Sequence, residues 1–506
     1  MAPTESTTAP AGGSAMDRLW HRGLDHYPNT GSRYRYLAVA VFVTIVLYYE
    51  LYVGGGVAPL VLEHFKMSFL YYVNILVLGN LVGAFGSLAA GLADRWGRAN
   101  LVTYGLLVTG VLALITPLAP NKFVFGLFAV LGGVVEGMCL VATPALVRDF
   151  SPQIGRASAM GFWTLGPVVG SLVVSFVANR TLPHFDNSWS SQFYIVGVVG
   201  IVAFLIALVG LRELKPGLRD QVMVSVNDRA LIESRAETAE QQVNLERPWR
   251  QMLHRDILAP ALGISIFLLI YYTAVGFFTI YLSSNFGFST SKANGVNTWY
   301  WAINAVSLVI VGVLSDRLRV RKPFMVAGTI LAVVMTFIFM TRTTHPDTSS
   351  TTLIVIIALL SLGLATAYAP WMAAFTETIE RRNPALTATG LAIWGWILRI
   401  VVCLSFLVLP YVVSAMNKLV EAPAILAQIK GAGPNPPAAL LHEAAGIKTA
   451  AADAPHQWQI WWWVCIVAQL LFLGLMLPLI GRWSPKAAKA DAEAHDREVA
   501  RLTGAS

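Results

Sequence analysis

Gly91-Leu92-Ala93-Asp94-Arg95-Trp96-Gly97-Arg98 decides how this chain is read. It is a short charged hinge between two long apolar runs, Phe69–Ala93 and Ala99–Leu118. A bilayer core is about 30 Å thick and an α-helix rises about 1.5 Å per residue, so roughly 20 apolar residues cross it. Each flanking run is near or above that length, so the hinge joins two transmembrane helices with almost no loop. A related copy, Gly312-Val313-Leu314-Ser315-Asp316-Arg317-Leu318-Arg319-Val320-Arg321-Lys322, again separates two apolar runs. Asp94 and Asp316 stand 222 residues apart, and that spacing divides the chain into halves.

Of the 506 residues, 56% are hydrophobic and only 13% charged. Soluble domains carry about 25% charged residues, so this is a membrane composition. The formal charge of +8 follows from where the basic residues lie between spans, and nucleic acid is not an expected partner. Cys139, Cys403 and Cys465 each sit inside an apolar run and read as packing residues. Residues 1–35 are polar and the first apolar run is long, so a cleaved signal peptide is not expected and the first helix should remain as an anchor.

Apolar runs follow at 36–62, 69–93, 99–118, 122–147, 156–178 and 190–211, then at 257–283, 292–315, 323–341, 352–376, 385–413 and 458–480. The expected fold class is therefore all-α, a polytopic membrane protein with twelve transmembrane helices in two six-helix bundles. Its parts would be a cytoplasmic tail (1–35), an N-terminal bundle (36–211), a cytoplasmic linker (212–256), a C-terminal bundle (257–480) and a second tail (481–506). Within the linker, Asp228–Leu245 is polar enough to form a surface helix. Placing both termini in the cytoplasm puts most Lys and Arg on the inner side, as the positive-inside rule requires. Val53-Gly54 aligns with Val275-Gly276, and Gly161 with Gly390, at offsets of 222 to 229. Such parallel repeats imply two bundles related by an axis along the membrane normal, with substrate between them near mid-membrane. The outward segment 414–457 is long, and Gly431–Pro437 is a breaker cluster; it reads as a disordered or packing loop, or a substrate lid, with Leu419–Ile429 as a short surface helix.

Ionisable side chains at mid-membrane are expensive and suggest function. Three stand out: Glu50 in the first span, Glu136 in the fourth and Arg399 in the eleventh. Desolvation favours the neutral form of a carboxylate and a nearby cation favours the charged form, so both acids are candidates for proton coupling. A guanidinium stays protonated, so Arg399 needs a carboxylate, backbone carbonyls or a substrate anion beside it. A fixed ion pair joining two helices is the structural alternative. Aromatic and polar residues at similar depth (Tyr49, Tyr272, Asn304 and Trp371) are substrate-binding candidates that could equally fill space. No Walker phosphate loop, HExxH or Cys/His cluster occurs, so neither enzyme chemistry nor a metal or cofactor is expected.

Asp94-Arg95-Trp96-Gly97-Arg98 between the second and third spans resembles the signature of the major facilitator superfamily. That resemblance implies a cavity lined by helices 1, 4, 7 and 10, and gating roles for Asp94, Arg95, Arg98, Asp149, Asp316 and Arg317. In it Arg98 would pair with Asp149, while Glu377 or Glu380 would answer the second hinge. Ala90 stands where the usual hinge glycine is. Glu50-Leu51-Tyr52 with Ala58-Pro59, and Asp149-Phe150-Ser151-Pro152 with Arg156, are similar to organic-acid and metabolite:proton symporters. Gly161, Gly166-Pro167 and Gly170 are similar to drug:proton antiporters, but Ser171 replaces their second glycine and Gly133 their helix-4 arginine.

The function expected is secondary active, proton-coupled transport of a small organic solute across the cytoplasmic membrane, with an organic anion met by Arg399 among the candidates and import slightly preferred. Its partners would be that solute, protons and membrane lipid, and the chain would act as a monomer. The alternative is a proton-coupled multidrug efflux antiporter; a lipid transporter and a non-transporting sensor stand behind it.

Overall fold

The computed structural model describes residues 28–88, 96–150, 156–214, 247–382, 386–432 and 436–486, with a few positions before and after them. The hinge residues Asp94 and Arg95, the side chains of Asp149 and Glu380, and the segment Asp228–Leu245 lie outside the described residues. Twelve described helices are long and apolar enough to cross a membrane. They are α1 (Thr30–Gly56), α2 (Phe69–Leu88), α3 (Arg98–Ile115), α4 (Lys122–Asp149), α5 (Arg156–Thr181) and α6 (Trp189–Gly210). The second half holds α7 (Arg255–Phe286), α8 (Thr290–Leu318), α9 (Lys322–Arg342), α10 (Ser350–Arg382), α11 (Thr387–Val412) and α12 (Ala438–Leu475). Since the count of described spans is even, Thr30 at the start of α1 and Leu475 at the end of α12 lie at one face, called here the tail face; the opposite one is the far face.

The outer surface carries Phe85, Val209, Leu404 and Ile460 exposed, while polar side chains turn inward. This inversion of the soluble pattern suits helices whose backbone bonds are closed within each segment and whose outer solvent is hydrocarbon. With no hydrophobic drive between helices in lipid, small residues let backbones approach instead. Gly79, Gly83 and Gly86 of α2 meet Gly133 and Gly137 of α4. A Cβ on Gly133 would lie 2.6 Å from the Gly79 carbonyl oxygen, and one on Gly137 would collide with the Gly83 carbonyl.

The run 36–62 is two helices, because α1 stops at Gly56 and a short helix, Ala58–His64, restarts with Pro59 in its first turn. Proline suits that place, since the first N–H groups of a helix have no intrahelical partner. The segment 414–457 departs most from its reading as a loop. It contains helices Met416–Leu419 and Ala422–Gly431, and α12 begins at Ala438, twenty residues before the apolar run. Ala450 and Ala454 bury against Ala415, so this extension is packed rather than loose. The breaker cluster does its part: one helix ends at Gly431 and the next is capped by Pro437.

Hydrogen bonds join the two bundles at the far face. Asn294 Nδ2 of α8 donates to the Gly56 carbonyl at 2.7 Å, and Ser291 Oγ donates to the Asn179 carbonyl at 2.8 Å. Asn417 Oδ1 accepts from the Leu70 N–H at 3.0 Å. Between α1 and α7, Gly55 lies so near the Val275 carbonyl that a Cβ would collide with it. The far face is thus closed by backbone proximity and neutral amides.

Gly137→Ala should lower the thermal stability of the detergent-solubilised protein, because overpacking of this kind costs about 1–3 kcal/mol. Gly395→Ala, whose added methyl would meet nothing within 4 Å, should leave the melting temperature unchanged. Equal melting curves for the two variants would contradict the close α2–α4 contact.

Candidate transport site

Arg399 projects from α11 across the bundle interface to α2 and α4. Gly83 makes room for it, since a Cβ there would sit 2.7 Å from Nη1. Nη1 points to the Asn80 carbonyl at 3.5 Å, and Nη2 lies 3.9 Å from Glu136 Oε1, an ion pair too long for a hydrogen bond. The Arg399 side chain is 5% exposed and that of Glu136 23%, and neither Nε nor Nη2 has a hydrogen-bond partner. A buried cation with two unused N–H donors is therefore held between the halves of the molecule.

Beside this pair lies a cavity of about 180 Å³. Glu50, Asn80, Glu136 and Tyr272 give it polar edges; Tyr52, Tyr72, Phe125, Phe128, Phe193 and Phe406 give it an aromatic wall. Arg399 stands just behind its Asn80–Glu136 edge. Most of the lining comes from α1, α2, α3 and α4, so the chamber lies largely inside the N-terminal half and meets α7 and α11 on one side.

The sequence candidates separate accordingly. Glu50, Glu136 and Tyr272 share the cavity. Glu50 is buried and turned toward α3 and α6: Thr109 Oγ1 donates to Oε2. Its Oε1 fits against Gly110 and Gly200 without a hydrogen-bond partner, and any side chain on Gly200 would occupy its place. Tyr49, Asn304 and Trp371 do not line the cavity. Tyr49 is buried where α1 meets α5. Asn304 reaches the Ser361 carbonyl at 3.5 Å inside the C-terminal half, and Trp371 stacks on Phe375 at 4.7 Å. Their burial follows from packing within one bundle, which depth along a span cannot reveal.

At the tail face, Arg321 bridges Asp316 at 2.8 Å and Glu377 at 2.9 Å. Burial alone would lower this guanidinium, but Glu377 and Asp316 outweigh it and hold it above its ordinary value. Arg321 rather than Arg317 reaches Asp316, because the helix end at Arg319, in left-handed conformation, turns Arg321 back over Asp316 while Arg317 stays exposed. Gly79, Gly83 and Gly86 at helical spacing read from sequence as glycines that let helices approach, but Asn80 was passed over as an ordinary residue of an apolar run; the signal available was a single amide one turn from a glycine. Nothing marked Thr109, whose role depends on α3 packing beside α1.

Residues 40–398 match the profile of the Major Facilitator Superfamily, and the chain belongs to that family of transporters, which carry small molecules and are not enzymes. A gallate transporter from Pseudomonas putida is 21% identical over 310 residues, covering 58% of this chain and 68% of its own. The quinolone resistance protein NorA of Staphylococcus aureus is 26% identical over 173 residues, covering 31% of this chain and 43% of its own. Among solved structures, a bacterial homologue of the human lysosomal transporter Spinster, inward-facing and occupied, superposes with a TM-score of 0.62. The identity there is 16%, with 90% of this chain and all of that one covered. The two-bundle, twelve-helix fold is thus the major facilitator fold.

The Arg399–Glu136 pair is open to a double-mutant cycle. Glu136→Gln and Arg399→Gln should each lower the melting temperature, and the double variant should lose less than their sum, with a coupling of about 1 kcal/mol. Strict additivity would mean that the two charges do not interact.

Proposed function

We propose that this chain is a proton-coupled symporter of small organic anions, and of single-ring aromatic acids in particular. The observation that carries the reading is Arg399, buried between the bundles with two unpartnered N–H donors and Glu136 at 3.9 Å. Charge balance supplies the mechanism. With the site empty, Arg399 and ionised Glu136 sum to zero. A substrate carboxylate alone would add an uncompensated negative charge to a low-dielectric site, which costs several kcal/mol. When Glu136 takes a proton and a substrate carboxylate takes Nε and Nη2, the sum is zero again. Only the empty and the doubly loaded states close readily, and that condition makes a symporter. Glu50, on the same cavity, is the second protonation site in this reading.

Cavity size and lining favour one ring. A cavity of about 150 Å³ accommodates benzene, and the one beside Glu136 measures about 180 Å³ with an aromatic wall. Similarity to a gallate transporter, gallate being a hydroxylated benzoate, supports the same class. The distribution of basic residues supports cytoplasmic termini; uptake across the cytoplasmic membrane by a monomer completes the reading. A proton-coupled drug exporter is the second reading, favoured by the likeness to NorA; a fixed buried cation at the site opposes cationic drugs.

The test is uptake and counterflow in proteoliposomes with 4-hydroxybenzoate, succinate and ethidium, each with and without an imposed pH gradient. The expected result is gradient-driven accumulation of 4-hydroxybenzoate. Glu136→Gln should keep counterflow but lose accumulation about tenfold, and Arg399→Gln should lose both. Full accumulation by Glu136→Gln would overturn the coupling role, and ethidium extrusion without movement of either acid would favour the exporter.

A further inference from the structure

The chamber beside Arg399 is longer than one ring. Its lining on α2 runs from Tyr72 to Asn80, on α3 from Thr109 to Thr116, and on α4 from Phe125 to Glu136. At about 1.5 Å of rise per residue these stretches measure roughly 12, 10 and 16 Å along their axes. Helices α2 and α4 begin at the far face and α3 ends there, so all three place the chamber between mid-membrane and the far face.

Its two ends differ in chemistry. Glu50, Asn80, Thr109 and Glu136 gather at the mid-membrane end, beside the notch where Gly83 seats the Arg399 guanidinium. Tyr72, Phe125 and Phe193 form the other end, 3%, 4% and 7% exposed. Phe193 stands edge-on to Phe125 with ring centroids 6.2 Å apart, and Phe277 stands edge-on to Tyr72 at 6.4 Å. Thr116 Oγ1 spends its hydrogen on the Leu112 carbonyl at 2.6 Å. The Tyr72 hydroxyl has no hydrogen-bond partner among the described residues. A buried phenol usually finds one, so a polar group is missing from this otherwise aromatic end.

The distance between the two unfilled needs sets the length of what fills them. The guanidinium lies between the Asn80 carbonyl and Gly83, so Tyr72 is about ten residues, or 15 Å of helix axis, away. One hydrogen bond of about 3 Å at each end leaves roughly 9 Å for a ligand. From ordinary bond lengths, 4-hydroxybenzoate measures roughly 6.5 Å between its end oxygens, and two more carbons between ring and carboxylate add about 2.5 Å.

We propose that the chamber takes a para-hydroxylated aromatic acid whose ring and carboxylate are separated by two carbons, and that Tyr72 is the residue that reads the ring hydroxyl. Arg399 meets the carboxylate as in the symport reading, on which this proposal rests. The ring lies against Phe125 and Phe193, and its hydroxyl bonds to Tyr72. An acid of the same length without the hydroxyl leaves the Tyr72 phenol unpaired, and a shorter hydroxy acid satisfies one end at the expense of the other.

Equilibrium binding to the full chain in nanodiscs tests this, with 4-hydroxycinnamate, cinnamate, 4-hydroxybenzoate and benzoate as probes. 4-Hydroxycinnamate should bind about tenfold more tightly than cinnamate, the size of one net hydrogen bond, and about tenfold more tightly than 4-hydroxybenzoate. Tyr72→Phe, which removes one oxygen from a buried ring, should lower 4-hydroxycinnamate to the affinity of cinnamate. Ala113 also lines the chamber, between Thr109 and Thr116, and Ala113→Leu should weaken the two cinnamates more than the two benzoates. A hydroxyl preference that survives Tyr72→Phe would overturn the role of Tyr72, and equal affinity for the two hydroxy acids would overturn the length. If all four acids bind alike and Arg399→Gln abolishes that binding, the anion site stands and this proposal falls. If none of the four binds, the symport reading falls and takes the proposal with it.

Discussion

A guanidinium keeps its proton at any physiological pH, and removing it from water is tolerable only when opposite charge or acceptors replace the lost hydration. Arg399 imposes that constraint on the whole molecule. It leaves the C-terminal bundle, enters a notch that only Gly83 can provide, and finds Glu136 and the Asn80 carbonyl in the other half. The close α2–α4 contact, the aromatic chamber beside it and the choice of a glycine at position 83 all follow from where this one charge rests. Moving the bundles apart must rearrange its partners, so the ion pair and the conformational cycle are one problem.

The pair is also incomplete, which separates it from a structural lock. At 3.9 Å the two groups attract without a hydrogen bond, and two donors remain unused. Arg321 at the tail face offers the contrast. It holds Asp316 and Glu377 at 2.8 and 2.9 Å, with donors spent on fixed partners. A guanidinium that is fully engaged holds helices in place, and one that is under-engaged can accept a ligand.

Much of this architecture was legible in the chain itself. Twelve spans, the repeated hinge and the three ionisable residues at mid-membrane come from length, periodicity and the cost of burying charge. Rotation about each helix axis was not legible. Glu50 and Glu136 have similar depth, yet one lies against Thr109 and Gly200 and the other faces Arg399, and only packing among α1, α3, α4 and α6 decides between those orientations. Trp371 and Asn304 lie off the cavity for the same reason. The helical form of 438–457 was hidden because alanine-rich polar sequence reads as loop when it flanks a hydrophobic span, although alanine is the strongest helix former. The Glu213 N–H bonds the Arg22 carbonyl across 191 positions, with no periodic signal at either residue.

The contacts described at the two faces of the molecule differ in chemistry. The far face is shut by Asn294, Ser291 and Asn417 reaching backbone groups, neutral contacts on which dissolved ions have little hold. On the tail face the pairs Arg321 with Asp316 and Glu377, and Arg382 with Asp256, are charged and lie within the C-terminal bundle. Mobile ions screen partly exposed charges over about 8 Å at physiological strength and over less as salt rises. Concentrated salt therefore slackens charged ties inside the C-terminal bundle and leaves the neutral contacts between the bundles as they were.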